Sequence, residues 1–223
     1  MLKTYKYLNL LTAFFAIVLL TSNIVSTKIT TIGPLTFDGG TLLFPLSYIF
    51  GDILTEVYGY KITKKVIWIG FFMALFAMSI IMIVGWLPAA TEWEYQDAYN
   101  SILGLTPRII IASLIAYFVG EFLNSFVLAK MKILTKGRYL WLRTISSTLI
   151  GEGFDTVLFV MIAFYGVFEP NLIWAILISN YVFKVGVEVL FTPVTYFFIN
   201  KLKKAENEDY YDLKTNFNPF LLD

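Results

Sequence analysis

Six long, mostly apolar stretches separated by short charged segments dominate the chain, at positions 8–26, 42–58, 66–87, 109–129, 145–168 and 172–199. A bilayer core about 30 Å thick needs roughly 20 helical, largely apolar residues to cross it. Each stretch therefore predicts a transmembrane helix. The second is the shortest and most polar, with Pro45, Asp52 and Glu56 inside it. Pro45 frees a backbone carbonyl and predicts a break or kink beside the carboxylates. The last is long enough to tilt or to project beyond the bilayer. The first has the look of a signal peptide, but no small-x-small site and soluble domain follow it, and five more apolar stretches do. It is read as the first span.

The polar segments between the stretches alternate in charge. Lys3 and Lys6 precede the first span; Lys61, Lys64 and Lys65 follow the second. Lys130, Lys132, Lys136, Arg138 and Arg143 follow the fourth, and Lys201, Lys203 and Lys204 the sixth. The intervening loops carry Asp38, then Glu92, Glu94 and Asp97, then Glu169, with Lys28 and Arg108 at helix ends. Cytoplasmic loops hold the Lys/Arg excess. The expected fold is thus an all-α, polytopic membrane helix bundle of six transmembrane helices with N and C termini cytoplasmic. Three spans per half place the halves in opposite orientations, the arithmetic of two inverted three-helix repeats. Asn23 and Lys28 at the end of the first span are echoed by Asn124 and Lys130 at the end of the fourth, and Gly51-Asp52 by Gly151-Glu152 and Asp155. Residues 1–204 form the expected six-helix transmembrane domain, and 205–223 a short cytoplasmic C-terminal tail.

Composition narrows the function classes. Of 223 residues, 58% are hydrophobic and 15% charged, against about 25% charged in soluble domains. A net charge of +1 leaves no electrostatic footprint for nucleic acid. With no Cys and no His, there are no disulfides or thiolate metal sites, and the usual general base is missing. No cofactor and no metal are expected. The partners to expect are the lipid bilayer, a small polar substrate and, compatibly, further copies of the chain.

Seven ionisable residues lie inside the spans: Asp52, Glu56, Glu121, Glu152, Asp155, Lys184 and Glu188. Each charge at the bilayer centre costs at least about 2.5–3.5 kcal/mol, so they must face one another or a wet cavity. Spacing agrees. Asp52 and Glu56 share a helix face at i,i+4, as do Asn180, Lys184 and Glu188; Glu121 with Asn124, and Glu152 with Asp155, do so at i,i+3. Lys184 and Glu188 read as a self-neutralising structural pair. The remaining acids exceed what helix–helix binding requires, which points to a ligand or coupling-ion site. Asp52, Glu56, Glu121, Glu152 and Asp155 are the candidate site, completed by Asn23 and Asn124. Lys28, Arg108, Lys184 and Glu188 are secondary candidates, with Lys28 and Arg108 also suited to snorkelling at the outer interface. Tyr48, Tyr58, Phe159 and Phe164 could stack on a flat ligand, the small residues Ala112, Ser113, Ala116 and Gly120 suit close helix packing, and Trp86, Trp93 and Trp174 read as interfacial belt residues.

Several strings carry a resemblance. They are Ser22-Asn23 with Lys28, FPLSYIFGDILTEVYGYK at 44–61, RIIIASLIAY at 108–117, LWLRTISST at 140–148 and GEGFDTVLFVMIAFYG at 151–166. Together the chain resembles the queuosine-precursor transporter family, also called the vitamin uptake transporter family. The resemblance implies uptake of 7-cyano-7-deazaguanine or 7-aminomethyl-7-deazaguanine for salvage into the tRNA nucleoside queuosine. Such a ligand offers N–H donors to a carboxylate, a carbonyl to an Asn amide and a plane to aromatics. The leading reading is a secondary transporter rather than an enzyme. A substrate-capture subunit of a modular vitamin importer is the neighbouring alternative, since the chain has no phosphate-binding Gly-x-x-x-x-Gly-Lys-Ser/Thr loop of its own. An intramembrane aspartyl hydrolase with Asp52 and Asp155 as its dyad is the alternative of another class, and a scaffold or channel would need fewer titratable groups.

Overall fold

Because each long apolar run must satisfy its backbone internally in lipid, it becomes a helix. In the computed structural model, which describes residues 5–32, 35–104, 107–167 and 169–221, the helices are α1 (Leu8–Val25), α2 (Phe44–Tyr58), α3 (Tyr60–Trp86), α4 (Gln96–Ile102), α5 (Pro107–Leu134), α6 (Leu140–Phe164) and α7 (Pro170–Glu206). Lys3, Phe168 and the side chain of Asp38 lie outside what is described. Five helices, α1, α3, α5, α6 and α7, are long and apolar enough to cross a bilayer. With large apolar side chains such as Phe14, Ile17, Phe72, Phe76, Leu190 and Phe197 exposed on their outer faces, the chain is a polytopic membrane helix bundle. Trp86, Trp93 and Trp174 are exposed as well.

The second stretch differs. Helix α2 has 15 residues, of which 12 are buried, because α1, α3, α5 and α7 all pack around it. Polar side chains at membrane depth are tolerated where protein, not lipid, surrounds them, which explains how Asp52 and Glu56 sit in so short a helix. Pro45 falls in its first turn, where a missing N–H loses nothing and the fixed φ favours helix. It starts α2 rather than breaking it, which corrects the expectation of a kink. Gly59, at φ 83°, turns the chain from α2 into α3. A Cβ at Gly59 would stand 2.2 Å from the Tyr210 ring.

Helices α5 and α6 form the most extensive pair, and they meet through glycine. A Cβ on Gly151 would lie 2.9 Å from the Gly120 carbonyl oxygen, and one on Gly120 3.1 Å from that of Gly151. Small residues let helix backbones approach in lipid. Helix α7, at 37 residues, is about 55 Å long and outruns the bilayer core.

The two ends of the bundle differ. At one, the Glu206 carboxylate accepts the backbone N–H groups of Lys6 (2.9 Å) and Tyr7 (2.7 Å) and the Tyr58 hydroxyl (2.9 Å). The start of α1 and the end of α7 therefore share this end with the α2–α3 and α5–α6 turns and their lysines and arginines. Residues 207–221 lie across it. The Tyr210 N–H donates to the Val57 carbonyl (3.2 Å), Asp212 accepts the Tyr60 N–H (3.0 Å), and the Trp68 indole donates to the Pro219 carbonyl (2.9 Å). The Lys130 ammonium stands 4.0 Å from the Phe217 ring centroid. At the opposite end sits an antiparallel hairpin that no sequence pattern indicated, β1 (Ile29–Ile32) and β2 (Leu35–Asp38), with Ile29 opposite Asp38. Gly39 follows it, where a Cβ would meet the Val25 carbonyl oxygen at 2.6 Å.

Candidate functional site

The hairpin end holds a cavity of about 550 Å³ between the last turns of α1 and α6 and the first turns of α5 and α7. Phe37, Phe44 and Phe159 give it aromatic walls, and Asn23, Asp155, Asn180 and Lys184 are polar groups on its lining. Asn23 is held by its neighbours: its amide donates to the Leu19 carbonyl (3.0 Å) and its oxygen accepts the Ser113 hydroxyl (2.9 Å). At the cavity's inner limit, the Lys184 ammonium donates to Asp155 Oδ2 (2.6 Å) and lies 4.3 Å from the Phe44 ring centroid. It also stands 3.1 Å from Glu152 Oε2, an ion pair without the alignment of a hydrogen bond. A carboxylate, an ammonium, two amides and aromatic faces in one enclosure suit a flat molecule with both donors and acceptors.

Behind that floor lies an interior without access to the cavity lining. Asn124 Nδ2 donates to Asp52 Oδ1 at 2.8 Å, tying α5 to α2. Gly51 leaves the space that Glu121 fills, since a Cβ there would stand 2.7 Å from Glu121 Oε2. Tyr48 occupies the space that Gly120 leaves, with its hydroxyl 2.2 Å from where a Gly120 Cβ would be. Glu121, Glu152 and Glu188 are at most 1% exposed, and no well-formed hydrogen bond reaches either oxygen of any of the three. The Ser47 hydroxyl, next to Glu121, already donates to the Phe44 carbonyl (2.7 Å).

Glu56 belongs to a third arrangement, at the basic end. Its Oε1 accepts from Arg143 Nη2 (2.7 Å) and Lys203 Nζ (2.6 Å), with Lys132 Nζ 3.4 Å away. Asp209 of the C-terminal segment bridges Lys132 (2.6 Å) and Lys203 (2.8 Å). Partial burial opposes ionisation of Asp209, but hydrogen bonds from Lys132 and Lys203 outweigh it and hold the carboxyl below its usual range. This network closes the end of the bundle opposite the cavity.

The candidate residues thus separate into three groups. Asn23 and Asp155 line the cavity, joined by the secondary candidate Lys184. Asp52, Glu121, Asn124, Glu152 and Glu188 are in the closed interior, and Glu56 is in the basic lock. The pairing expected between Lys184 and Glu188 is corrected: Lys184 reaches across to Asp155 and Glu152 on α6 instead. Lys28 is exposed beside the hairpin. The Arg108 guanidinium donates to the carbonyls of Ile162 (2.5 Å) and Tyr165 (2.6 Å), closing the C-terminal end of α6. Lys132 and Arg143, loop cations by their place in the sequence, are only 2% and 1% exposed. Only their nearness to the apolar runs hinted at it.

A bundle of membrane-crossing helices that encloses a polar-floored cavity at one end and an ionic closure at the other is the build of a small-molecule transporter. Comparison with known proteins agrees. The family described as "Putative vitamin uptake transporter" matches residues 38–198, and the chain belongs to that family. It is 30% identical over 165 residues to the "Probable queuosine precursor transporter" of Bacillus subtilis (strain 168), covering 73% of this chain and 71% of the relative. It is 28% identical over 207 residues to the "Queuosine precursor transporter" of Escherichia coli (strain K12), covering 90% of each. The Haemophilus influenzae (strain ATCC 51907 / DSM 11121 / KW20 / Rd) "Probable queuosine precursor transporter" is 30% identical over 158 residues, 69% of this chain and 65% of the relative. No solved structure matches. The chain is a transporter and not an enzyme.

Proposed function

We propose that the chain imports a queuosine precursor, 7-cyano-7-deazaguanine or 7-aminomethyl-7-deazaguanine, as a secondary transporter of the plasma (inner) membrane. The observation that carries this reading is the cavity that ends on the Asp155–Lys184 pair between Phe44 and Phe159. Asp155 would accept two N–H groups from the ligand's guanine-like edge, the Asn23 and Asn180 amides would serve its carbonyl, and the phenyl faces would take its plane. The names of the three relatives support the same substrate class.

In this reading α2 counts as a sixth span, sheltered by its neighbours, and both termini are cytoplasmic. The charge alternation along the loops and the meeting of Lys6 and Tyr7 with Glu206 at the basic end support that orientation. The cavity then faces outward, and alternating access follows from rocking the half containing α1–α3 against the half containing α5–α7. The test is uptake of each labelled deazapurine by cells that lack their own route and express this chain. No accumulation of either compound above the empty-vector control sinks the proposal. Purified chain in liposomes distinguishes a self-sufficient carrier, which moves substrate alone, from a capture subunit, which does not.

A further inference from the structure

The closed interior has more acids than the transport of a neutral or singly charged heterocycle needs. Asp52, Glu121, Glu152, Asp155 and Glu188 are all buried there or at its edge, against the single ammonium of Lys184. Arg143, Lys132 and Lys203 are already engaged by Glu56. Burying one unpaired ionised carboxylate costs several kcal/mol even after relaxation, and a native fold is stable by only about 5–15 kcal/mol. Four uncompensated charges would exceed that. Nor do protein donors make up the deficit, because the oxygens of Glu121 and Glu188 accept no well-formed hydrogen bond. The unfilled hydrogen-bonding capacity extends beyond the acids: the Tyr48 hydroxyl and Asn124 Oδ1 are also fully buried and unpartnered. Asn124 sits on α5 beside Glu121, while Tyr48 is directed at the Gly120 face of the same helix.

The groups facing these acids are known from each packed element. Glu121 on α5 faces Glu152 and Asp155 on α6, Glu188 on α7, Asp52, Ser47 and Tyr48 on α2 and Tyr117 on its own helix. Glu188 faces Asp52 on α2 and Glu152 on α6, one turn from Lys184. Among the described residues, no group of three or more carboxylates is arranged to hold a metal ion. A proton needs no such cage, since one carboxyl group binds it and each bound proton removes one buried charge. Lys184 links the compartments, because it contacts Asp155 on the cavity lining and Glu152 behind it.

We propose that Glu121 and Glu188, joined to the outward cavity through Glu152 and Lys184, form an occluded proton-binding site that couples substrate import to inward proton movement. Each carboxyl that loads a proton from outside and releases it inside carries one proton per cycle. The proposal rests on the transporter reading above and adds the coupling ion to it.

Two measurements test it. The first needs no variant and no substrate. Infrared spectra of the purified protein at neutral pH should show the carbonyl band of protonated carboxyl groups, shielded from exchange into heavy water. Glu121→Gln and Glu188→Gln, which keep shape and hydrogen-bonding size, should each weaken it. No such band in the native protein overturns the proposal. The second uses proteoliposomes, labelled deazapurine and a pH-sensitive dye in the lumen. An acid-outside gradient should drive accumulation of up to about tenfold per pH unit for one coupled proton, with acidification of the lumen. Glu188→Gln should lower both and still exchange internal for external substrate. Accumulation driven by a sodium gradient without proton movement, or unchanged gradient-driven uptake in the double variant, also overturns it. Absence of any substrate exchange by the native protein refutes the substrate reading instead, and the infrared result stands apart from that outcome.

Discussion

Two substitutions of the same kind, Glu56→Gln and Glu121→Gln, should differ sharply in their effect on stability. Both residues are fully buried glutamates, so volume and side-chain shape are held fixed in both substitutions. Glu56 Oε1 is shared by Arg143 at 2.7 Å and Lys203 at 2.6 Å, with Lys132 at 3.4 Å. Lys132 and Lys203 keep Asp209 when Glu56 is neutralised. Arg143, 1% exposed, keeps only the Arg138 carbonyl and the Thr135 hydroxyl. Breaking a buried pair by removing one partner costs about 3–5 kcal/mol; with Lys132 and Lys203 still paired, the lower end, about 3 kcal/mol, applies. For a domain of this size that is a fall of roughly 6–12 °C in Tm. Glu121 has no cation on its oxygens, so Glu121→Gln should leave Tm within about 1–2 °C of the native protein or raise it. Thermal unfolding in detergent, followed by tryptophan fluorescence, measures both. A Glu56→Gln protein as stable as the native one, or a Glu121→Gln protein destabilised equally, would refute the assignment of one acid to an ionic lock and the other to an unpaired interior.

Gly120→Ala places a methyl 2.2 Å from the Tyr48 hydroxyl and 2.8 Å from Asp155 Cβ; overpacking of this kind costs about 1–3 kcal/mol, and a lowered Tm that Tyr48→Phe partly restores is the expected result. Asp155→Asn removes one charge-assisted acceptor worth about 1.5–3 kcal/mol, so deazapurine affinity should fall by about tenfold to a hundredfold with little change in protein abundance; normal affinity in well-expressed protein removes Asp155 from the binding site. Asp209, whose carboxyl is held low by Lys132 and Lys203, contributes docking energy that is present above the ordinary carboxylate pKa of about 3.9 and is lost as pH falls through its lower folded value. Hydrogen exchange of residues 207–221 should therefore stay slow at neutral and mildly acidic pH and quicken only below about pH 4. Cysteines introduced at Asp97 and Gly137 should label from outside and from the cytoplasm respectively, and the reverse pattern overturns the orientation.

Sequence pattern was a good guide wherever one physical force acts alone. Backbone satisfaction in lipid makes every long apolar run helical, so all six stretches reappear as helices with ends shifted by a few residues. The i,i+3 and i,i+4 spacing of the acids and amides correctly marked buried helix faces. What spacing does not encode is which neighbour a face meets. Lys184 has Glu188 one turn away on its own helix, but the packing of α6 on α7 brings its ammonium to Asp155 instead. Glu56 shares a face with Asp52, yet the turn between them carries it from the interior to the basic lock, where the distant Arg143 and Lys203 arrive. The docking of residues 207–221 depends on carbonyls and ring faces, which have no signature in a residue pattern.

That single turn of α2 also explains how one end of the protein could inform the other. Asp52 and Glu56 lie about 6 Å apart along a helix that is buried on nearly every side. One is bonded to Asn124 of α5, the other to Arg143 of α6 and Lys203 of α7. Any tilt of α2 that loosens the Asn124 contact also pulls Glu56 against its cations. The glycines Gly51, Gly120 and Gly151 let α2, α5 and α6 pack closely, because each holds a neighbouring group where a Cβ would be. Opening the basic end would admit water to Arg143, Lys132, Lys203 and Glu56. Hydration then replaces the lost ion pairs, so the separation costs far less than breaking the same network in a dry interior. An ionic lock of this kind can be firm when closed and still open within a transport cycle, whereas wetting an apolar plug of equal area returns no interaction for those it loses.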